Sequence, residues 1–371
     1  MNARINPIVM PKWGLSMAEG KVTGWLVRPG AKITAGDEIL EVETDKIAGV
    51  VEAGEAGTLR RVLGEPQTVY PVKALIGVIA DDDVPDSEID AFVAAYAVPA
   101  EEGEDAAEAG PRYEFVETPA GRLRYARRGE GEDTVLLIHG FGGDLDNWLF
   151  NIDALGAAAT VYALDLPGHG QSEKALSDPS LPGLATAVLG FMDALGIARA
   201  HLVGHSMGGA LSQQVAVDAP SRVASIALIA SAGLGPEING DYIAGFVSAA
   251  GRRELKPVLE HLFHDPSTVT RQLVDDVLKY KRIDGVDTAL RALADGLFPD
   301  GRQASQFADQ TRAAGTRTLV VFGEGDRIIP AAHAQALADT AQVYVLPEAG
   351  HMVQMEKAGR VNELLLKHIA G

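Results

Sequence analysis

The sequence predicts a multidomain chain: a small all-β sandwich, then a doubly wound α/β domain carrying a helical insertion. Three observations point there. Residues 1–80 are short Val/Ile/Thr-rich runs separated by glycines, with no helical period. Residues 81–112 turn abruptly acidic, and from 113 to 371 short apolar runs alternate with helix-like segments. A chain of 371 residues is also too long for one small core.

In the first part, "KVTGWLV", "DEILEVET", "AGVVEAG", "GTLRRVL" and "ALIGVIA" read as strands. A weak internal repeat, "GKVTGWLVRPGAKITAGDEILEV" against "AGTLRRVLGEPQTVYPVKALIGVI", predicts two pseudo-symmetric halves. The hairpin joining them carries Thr44-Asp45-Lys46.

Between Asp81 and Gly110 there are eleven acidic residues and no basic one. Like charges at that density repel and keep a chain extended, so 81–112 is expected to be a linker. Within it, Ile89, Phe92, Val93 and Tyr96 fall on one face of a helix, with Ser87 as its expected N-cap. Such a helix would dock a partner or pack on the following domain.

From Tyr113 onward, "TVLLIHG", "TVYALDLPG", "AHLVGHS", "SIALIAS", "TRTLVVFG" and "QVYVLPEAG" are suited to buried parallel strands. Segments such as "PGLATAVLGFMDALG" supply the helices between them. The alternation breaks from about 234 to 312, where helical segments without a clear strand predict a cap over the sheet.

The net charge of −19 argues against a nucleic-acid partner, since a phosphate backbone would repel this surface. The chain has no cysteine, which excludes disulfides, Cys-ligated metals and a protein thiol as acyl carrier, and fits a reducing compartment. "MNARINPIVMPKWGL" has proline and charges where a signal peptide needs an apolar stretch, and no run reaches membrane-spanning length. A cytoplasmic protein is the expectation, and no histidine pair has metal-ligand spacing.

The strongest chemical signal is "HLVGHSMGGAL". Gly204-His205-Ser206-Met207-Gly208 is a G-x-S-x-G sequence between an apolar strand and a helical run. The glycines permit a tight turn, and the helix N-terminus behind it favours negative charge beside Ser206. Serine is a weak nucleophile that needs a base held in one tautomer by an acid. "VVFGEGDRIIP" offers Asp326 after one late strand, and "YVLPEAGHMVQME" offers His351 after the next. The oxyanion donors are expected from the Met207 amide and from the Phe141 amide in "HGFGG". His139 and His169 are expected to organise loops, and Glu348 and Asp300 are the spare acids. The bland alternatives are a structural glycine turn, a turn aspartate and a loop histidine.

From Tyr113 to the C-terminus these motifs resemble the α/β-hydrolase superfamily, whose Ser, Asp, His order they share. That superfamily includes esterases, C–C hydrolases and acyltransferases, so the likeness speaks to fold more than to reaction. The run "MPKWGLSMAEGKVTGWLVRPGAKITAGDEILEVETDKI" resembles the lipoyl domains of 2-oxo-acid dehydrogenase complexes, which present Glu-Thr-Asp-Lys at a hairpin tip. Biotin-carrying domains flank their lysine with methionines; here Asp45 and Ile47 stand there. Glu65-Pro66 replaces a common Gly-Asp pair, which predicts an altered turn in an intact fold.

The pairing of both domains resembles the acetyltransferase components of bacterial acetoin dehydrogenase complexes; the His-x-x-x-Asp-Gly motif of the usual lipoyl-linked acyltransferases is not found. The resemblance implies lipoate on Lys46, coenzyme A as co-substrate, and Ser206, His351 and Asp326 as the catalytic set. Its implied partners are a thiamine-diphosphate acetoin-cleaving component and dihydrolipoamide dehydrogenase, with homo-oligomer formation left open. Two other readings remain: a thioesterase or esterase bearing a lipoyl domain, and an idle lipoyl scaffold.

Overall fold

The computed structural model describes residues 4–13, 17–44, 48–98 and 113–371. They fall into two compact units, dividing between Pro111 and Arg112.

The N-terminal unit is built from β1 (Ile5–Val9), β2 (Glu19–Trp25), β3 (Lys32–Ile33), β4 (Glu38–Glu43), β5 (Ala48–Glu52), β6 (Gly57–Val62), β7 (Thr68–Pro71) and β8 (Leu75–Ala80). They form two four-stranded antiparallel sheets, β1-β8-β6-β3 and β5-β4-β2-β7. The sequence repeat is realised by exchange. The short β3 of the first half pairs with β6, and β7 of the second half pairs with β2. Each half thus contributes a strand to the other's sheet, which explains why neither half could stand alone. Met10, Val22, Leu40, Val42, Leu59 and Ile76 fill the core. Gly20 lets that core close, since a Cβ there would lie 2.8 Å from both Met10 and Met17. The turn at Glu65-Pro66 is unusual as expected, with Gln67 at φ 65° and Thr68 N–H reaching Glu65 O at 3.3 Å, and the sandwich persists around it. Strands β4 and β5 pair down to Glu43 opposite Ala48. Of the connection between them, Asp45, Lys46 and Ile47 lie outside the described residues.

The expected free linker needs correction in its first part. Helix α1 (Asp86–Ala95) forms, but Pro85 occupies the N-cap and Ser87 lies inside. It packs on the sandwich of its own unit. Ile89 is fully buried against Ile5, Val78, Ala80 and Val84 of the sandwich, and Tyr96 Oη–H donates to Lys73 O at 3.0 Å. The repulsion argument overlooked cations distant in sequence: Arg4 meets Asp83, Lys32 meets Asp82, Arg60 meets Asp86 and Arg61 meets Asp90. Exposed pairs of this kind contribute under about 1 kcal/mol each, so Ile89 is the main anchor.

The second unit has an eight-stranded sheet made from β9 (Tyr113–Thr118), β10 (Gly121–Arg128), β11 (Thr134–Ile138), β12 (Thr160–Leu164), β13 (Ala200–His205), β14 (Val223–Ile229), β15 (Thr318–Gly323) and β16 (Gln342–Leu346). Its order is β16-β15-β14-β13-β11-β12-β10-β9, parallel from β11 to β16, with β9 and β10 antiparallel at one edge. Strands β13 and β15 are buried at every residue, as continuous apolar runs in a two-sided sheet must be. The chain steps from β11 outward to β12 and then crosses back to β13. The crevice at the strand ends between β11 and β13 is therefore a topological switch point, where such sheets bind ligands. Helix α2 (Ile152–Gly156) touches the C-terminal helix (Ala358–Ala370), and α3 (Leu181–Ala194) touches α4 (Met207–Asp218).

Between β14 and β15 lie the cap helices α5 (Gly240–Ser248), α6 (Arg252–Leu259), α7 (Arg271–Lys281) and α8 (Val286–Leu297). The expected cap boundary at 312 runs too far. Helix α9 (Ala308–Ala314) belongs to the sheet layer, where Thr311 Oγ1 donates to Gln213 Oε1 of α4 at 3.2 Å.

Replacing Ile89 by Ala is expected to destabilise the N-terminal unit by about 2–5 kcal/mol. Calorimetry of the full chain should show its transition falling while that of the α/β unit stays in place.

Candidate active site

Strand β13 ends at His205 and α4 starts at Met207, leaving Ser206 as the whole turn. Its φ of 52° and ψ of −117° are costly for a residue with a side chain, by about 1–3 kcal/mol. The surroundings enforce them. Ser206 N–H donates to Ile229 O at 2.9 Å, and Ser206 O accepts from Gly209 N at 2.9 Å and Ala232 N at 3.0 Å. No other residue fits at the flanking glycines: a Cβ on Gly204 would lie 2.2 Å from Gly208 O, and one on Gly208 would lie 2.2 Å from Ile138 O.

Asp326 and His351 follow β15 and β16 and face each other. His351 Nδ1 lies 2.8 Å from Asp326 Oδ2, with both side chains almost fully buried. The other carboxylate oxygen, Oδ1, accepts from Ile328 N at 2.8 Å and Ile329 N at 3.0 Å. Held this way, the carboxylate selects the tautomer with the proton on Nδ1, which leaves Nε2 as the basic atom. The His351 ring lies 4.7 Å from that of His205, the residue before the serine. Glu348 and Asp300, the spare acids, instead occupy left-handed turn positions at φ 50° and 53°.

The loop after β11 approaches the elbow from the other side: a Cβ on Gly140 would lie 3.0 Å from Ser206 Cβ. Two buried imidazoles brace it. His139 Nδ1–H donates to Gly140 O at 2.8 Å, and its Nε2 accepts from Leu166 N at 3.0 Å. His169 Nε2 accepts from Gly142 N at 3.2 Å while its Nδ1 faces Pro167 O at 3.1 Å. Burial lowers both pKa values, so both rings stay neutral. The amides of Gly142 and Gly143 are spent within this bracing, whereas those of Phe141 and Met207 have no hydrogen-bond partner among the described residues. The two expected oxyanion donors are thus both unspent amides.

Sequence reasoning missed what anchors this loop. Asp165, in the "DLPGHGQS" run, accepts from Leu145 N at 2.9 Å, Gln171 N at 2.7 Å and Arg124 Nε at 2.6 Å. A buried aspartate directly after an apolar strand was the available signal. Nearby, Asp144 accepts from Asp146 N at 2.9 Å. Desolvation, then the charges of Asp146 and Asp165, push its pKa up to about 7 despite Arg124.

A cleft of about 230 Å³, its mouth included, opens beside the elbow. Met207, Leu181 and Ala232 line it from the sheet side, and Leu297, Phe298 and Gln303 from the cap side. Gln303 presents little polarity, since its amide is committed to Gly233 N and Glu237 O. Phe298 also stacks edge-on against Phe141 at 5.8 Å. No group of side chains suited to a metal ion occurs among the described residues.

A strained serine between strand and helix, with an Asp–His pair at neighbouring strand ends, defines an α/β-hydrolase-type site. Residues 133–358 match the alpha/beta hydrolase fold family, and residues 6–78 match the family described as Biotin-requiring enzyme, here as a lipoyl-type domain. The chain is 57% identical over 369 residues to the dihydrolipoyllysine-residue acetyltransferase component of the acetoin cleaving system of Cupriavidus necator, covering 99% of this chain and 98% of that protein. The counterpart from Pseudomonas putida is 51% identical over 368 residues, covering 98% of each. A meta-cleavage product hydrolase from Pseudomonas fluorescens IP01 matches the fold at 25% identity with a TM-score of 0.64, covering 69% of this chain and 97% of that one. The chain belongs to the α/β-hydrolase fold family and, within it, to the dihydrolipoyllysine-residue acetyltransferase components of acetoin cleaving systems.

Two outcomes test this geometry. Gly208→Ala should force the elbow away from Ile138 O and slow fluorophosphonate labelling of Ser206 by about 100-fold or more, the size of losing an oxyanion donor. Asp144→Asn keeps the acceptor and removes the charge. Because the folded pKa lies above the usual carboxylate value, Asp144 favours the folded state most below pH 4, and this is lost as pH rises toward about 7. The variant should therefore melt higher than the parent at pH 8, and by a smaller margin at pH 5.

Proposed function

We propose that this protein transfers an acetyl group from lipoyl-lysine to coenzyme A within an acetoin cleaving system, through Ser206, His351 and Asp326. The observation that carries the reading is the Asp326–His351 pair beside a strained serine, in a chain that also bears a lipoyl-type domain. Lipoate attached to Lys46 would supply the acetyl group as a thioester. The strands β4 and β5 pair as far as Glu43 opposite Ala48, the residues on either side of the stretch that carries Lys46.

His351 Nε2 takes the proton of Ser206 as Oγ bonds to the acyl carbon. The Phe141 and Met207 amides receive the developing oxyanion. When the carbon–sulfur bond breaks, His351 returns its proton to the departing sulfur, leaving acetyl-Ser206. His351 then deprotonates the coenzyme A thiol, whose sulfur attacks the acyl carbon, and the proton goes back to Ser206 Oγ as the carbon–oxygen bond breaks. Asp326 keeps the imidazole in the required tautomer throughout.

As a component of an acetoin cleaving system the chain works beside other proteins. We place a thiamine-diphosphate component upstream to load the acetyl group and dihydrolipoamide dehydrogenase downstream to reoxidise the arm, all in the cytoplasm. No helix among the described residues is long and apolar enough to cross a membrane. The likeness to a meta-cleavage product hydrolase favours a second reading, discharge of the thioester to water.

Single-turnover assays with the acetylated, lipoylated chain separate the two. Acetyl-coenzyme A should form at saturating coenzyme A, and Ser206→Ala should abolish it. Free acetate as the main product would establish hydrolysis. Lys46→Arg should remove the mass of lipoate from the intact chain and stop turnover of tethered substrate, while leaving Ser206 open to a fluorophosphonate.

A further inference from the structure

The variable place of the elbow motif is filled by a residue that touches three parts of the site. His205 ends β13 and is 3% exposed. Its Nε2 lies 3.0 Å from the carbonyl oxygen of His351, so Nε2 carries the proton and donates, since a carbonyl oxygen only accepts. Nδ1 is then a bare acceptor. It is buried and has no hydrogen-bond partner. What faces it is Gly140, where a Cβ would come 3.0 Å from Nδ1 and equally 3.0 Å from Ser206 Cβ. The imidazole is thus wedged between the histidine loop and the first glycine of the oxyanion loop, and its own backbone continues into Ser206.

A space-filling role does not account for this residue. A buried, unpartnered acceptor is destabilising, and an apolar side chain would fill the volume without it. Nor is it a second base for Ser206, because Nε2 is committed to His351 O and Nδ1 is aimed at Gly140. What the imidazole supplies is one hydrogen bond, directed at the main chain of His351. The flanking peptides are held elsewhere: Gly350 N–H donates to Glu356 Oε2 at 2.7 Å, and Met352 N–H donates to Leu262 O of the cap at 3.0 Å. The His205 bond instead ties the loop to the nucleophile's own strand. Burial, and the ring of His351 beside it, keep the His205 pKa well below its ordinary value, so this donor pattern holds through neutral pH.

We propose that His205 is a positioning residue whose Nε2–H holds the His351 main chain against the elbow, keeping the imidazole of His351 in reach of Ser206. His351 then has two anchors: Asp326 fixes its ring, and His205 fixes its backbone. The proposal rests on the serine-centred reading above.

The test compares the full-length protein with H205Q, H205N and Ser206→Ala, using a fluorophosphonate probe read by intact mass. A Gln amide nitrogen reaches the place of imidazole Nε2, whereas an Asn amide nitrogen reaches only that of Nδ1. H205Q should label within about threefold of the parent. H205N should label about tenfold to a hundredfold more slowly, as a misplaced base does. Its half-saturating probe concentration should stay unchanged, and the acid limb of its pH profile should shift. If H205N does not fold, H205M takes its place with the same outcomes. Equal labelling rates and pH profiles for H205Q and H205N would overturn the proposal. A parent protein that labels no better than Ser206→Ala would sink the serine reading itself, and the role of His205 with it.

Discussion

The site depends on the closeness with which three backbone segments meet around Ser206. Gly208 touches Ile138 O at the end of β11, Gly204 touches the first turn of α4, and Gly140 touches Ser206 itself. A Cβ at Gly204 or Gly208 would clash with backbone and one at Gly140 would crowd Ser206, so the elbow's φ of 52° follows from packing and not from the preference of serine. That constraint brings together the helix N-terminus, the unspent amides of Phe141 and Met207 and the strand ends that carry Asp326 and His351.

Around this backbone sit four imidazoles, three of them engaged with main-chain atoms. His139, His169 and His205 are all buried, and desolvation lowers the pKa of each. As neutral rings each donates to one carbonyl, and His139 and His169 also accept one amide. Of these four rings, His351 is the one paired with a carboxylate, Asp326, which fixes its tautomer. Four histidines therefore occur within one site, but three of them set geometry.

The parts legible in the sequence are those fixed by local chemistry. A glycine-flanked serine between an apolar strand and a helix can hardly be anything but a tight turn, and Asp326 and His351 stand after the next two strands in the order that turn calls for. The deep strands β11 to β16 announced themselves as apolar runs. What stayed hidden depends on partners far apart in sequence. The docking of α1 rests on Ile89 meeting Ile5, Val78 and Ala80, with Arg60 and Arg61 opposite Asp86 and Asp90, partners that no window of residues reveals. The two-residue strand β3 exists only because β6 lies beside it. Helix α9 resembles the cap helices in composition, and only its bond to Gln213 assigns it to the sheet layer. Asp165 was passed over because its partners come from three separate segments.

An acyl-serine in such a site faces competition from water, which is abundant and small. A thousandfold preference for a thiol over water requires a barrier difference of about 4 kcal/mol. In the proposed reading the charged machinery does not supply it, because His351 would activate either nucleophile equally well. In that reading discrimination comes from the cleft beside the elbow, where Phe298 and Leu297 of the cap meet Met207 in an apolar lining and Phe298 stacks on Phe141. A surface of that kind gives a water molecule no partner to hold it in line with the acyl carbon, while the tail of a thiol gains by covering it. Transfer and hydrolysis in this fold thus differ less in the catalytic groups than in what the cap allows to stand beside them.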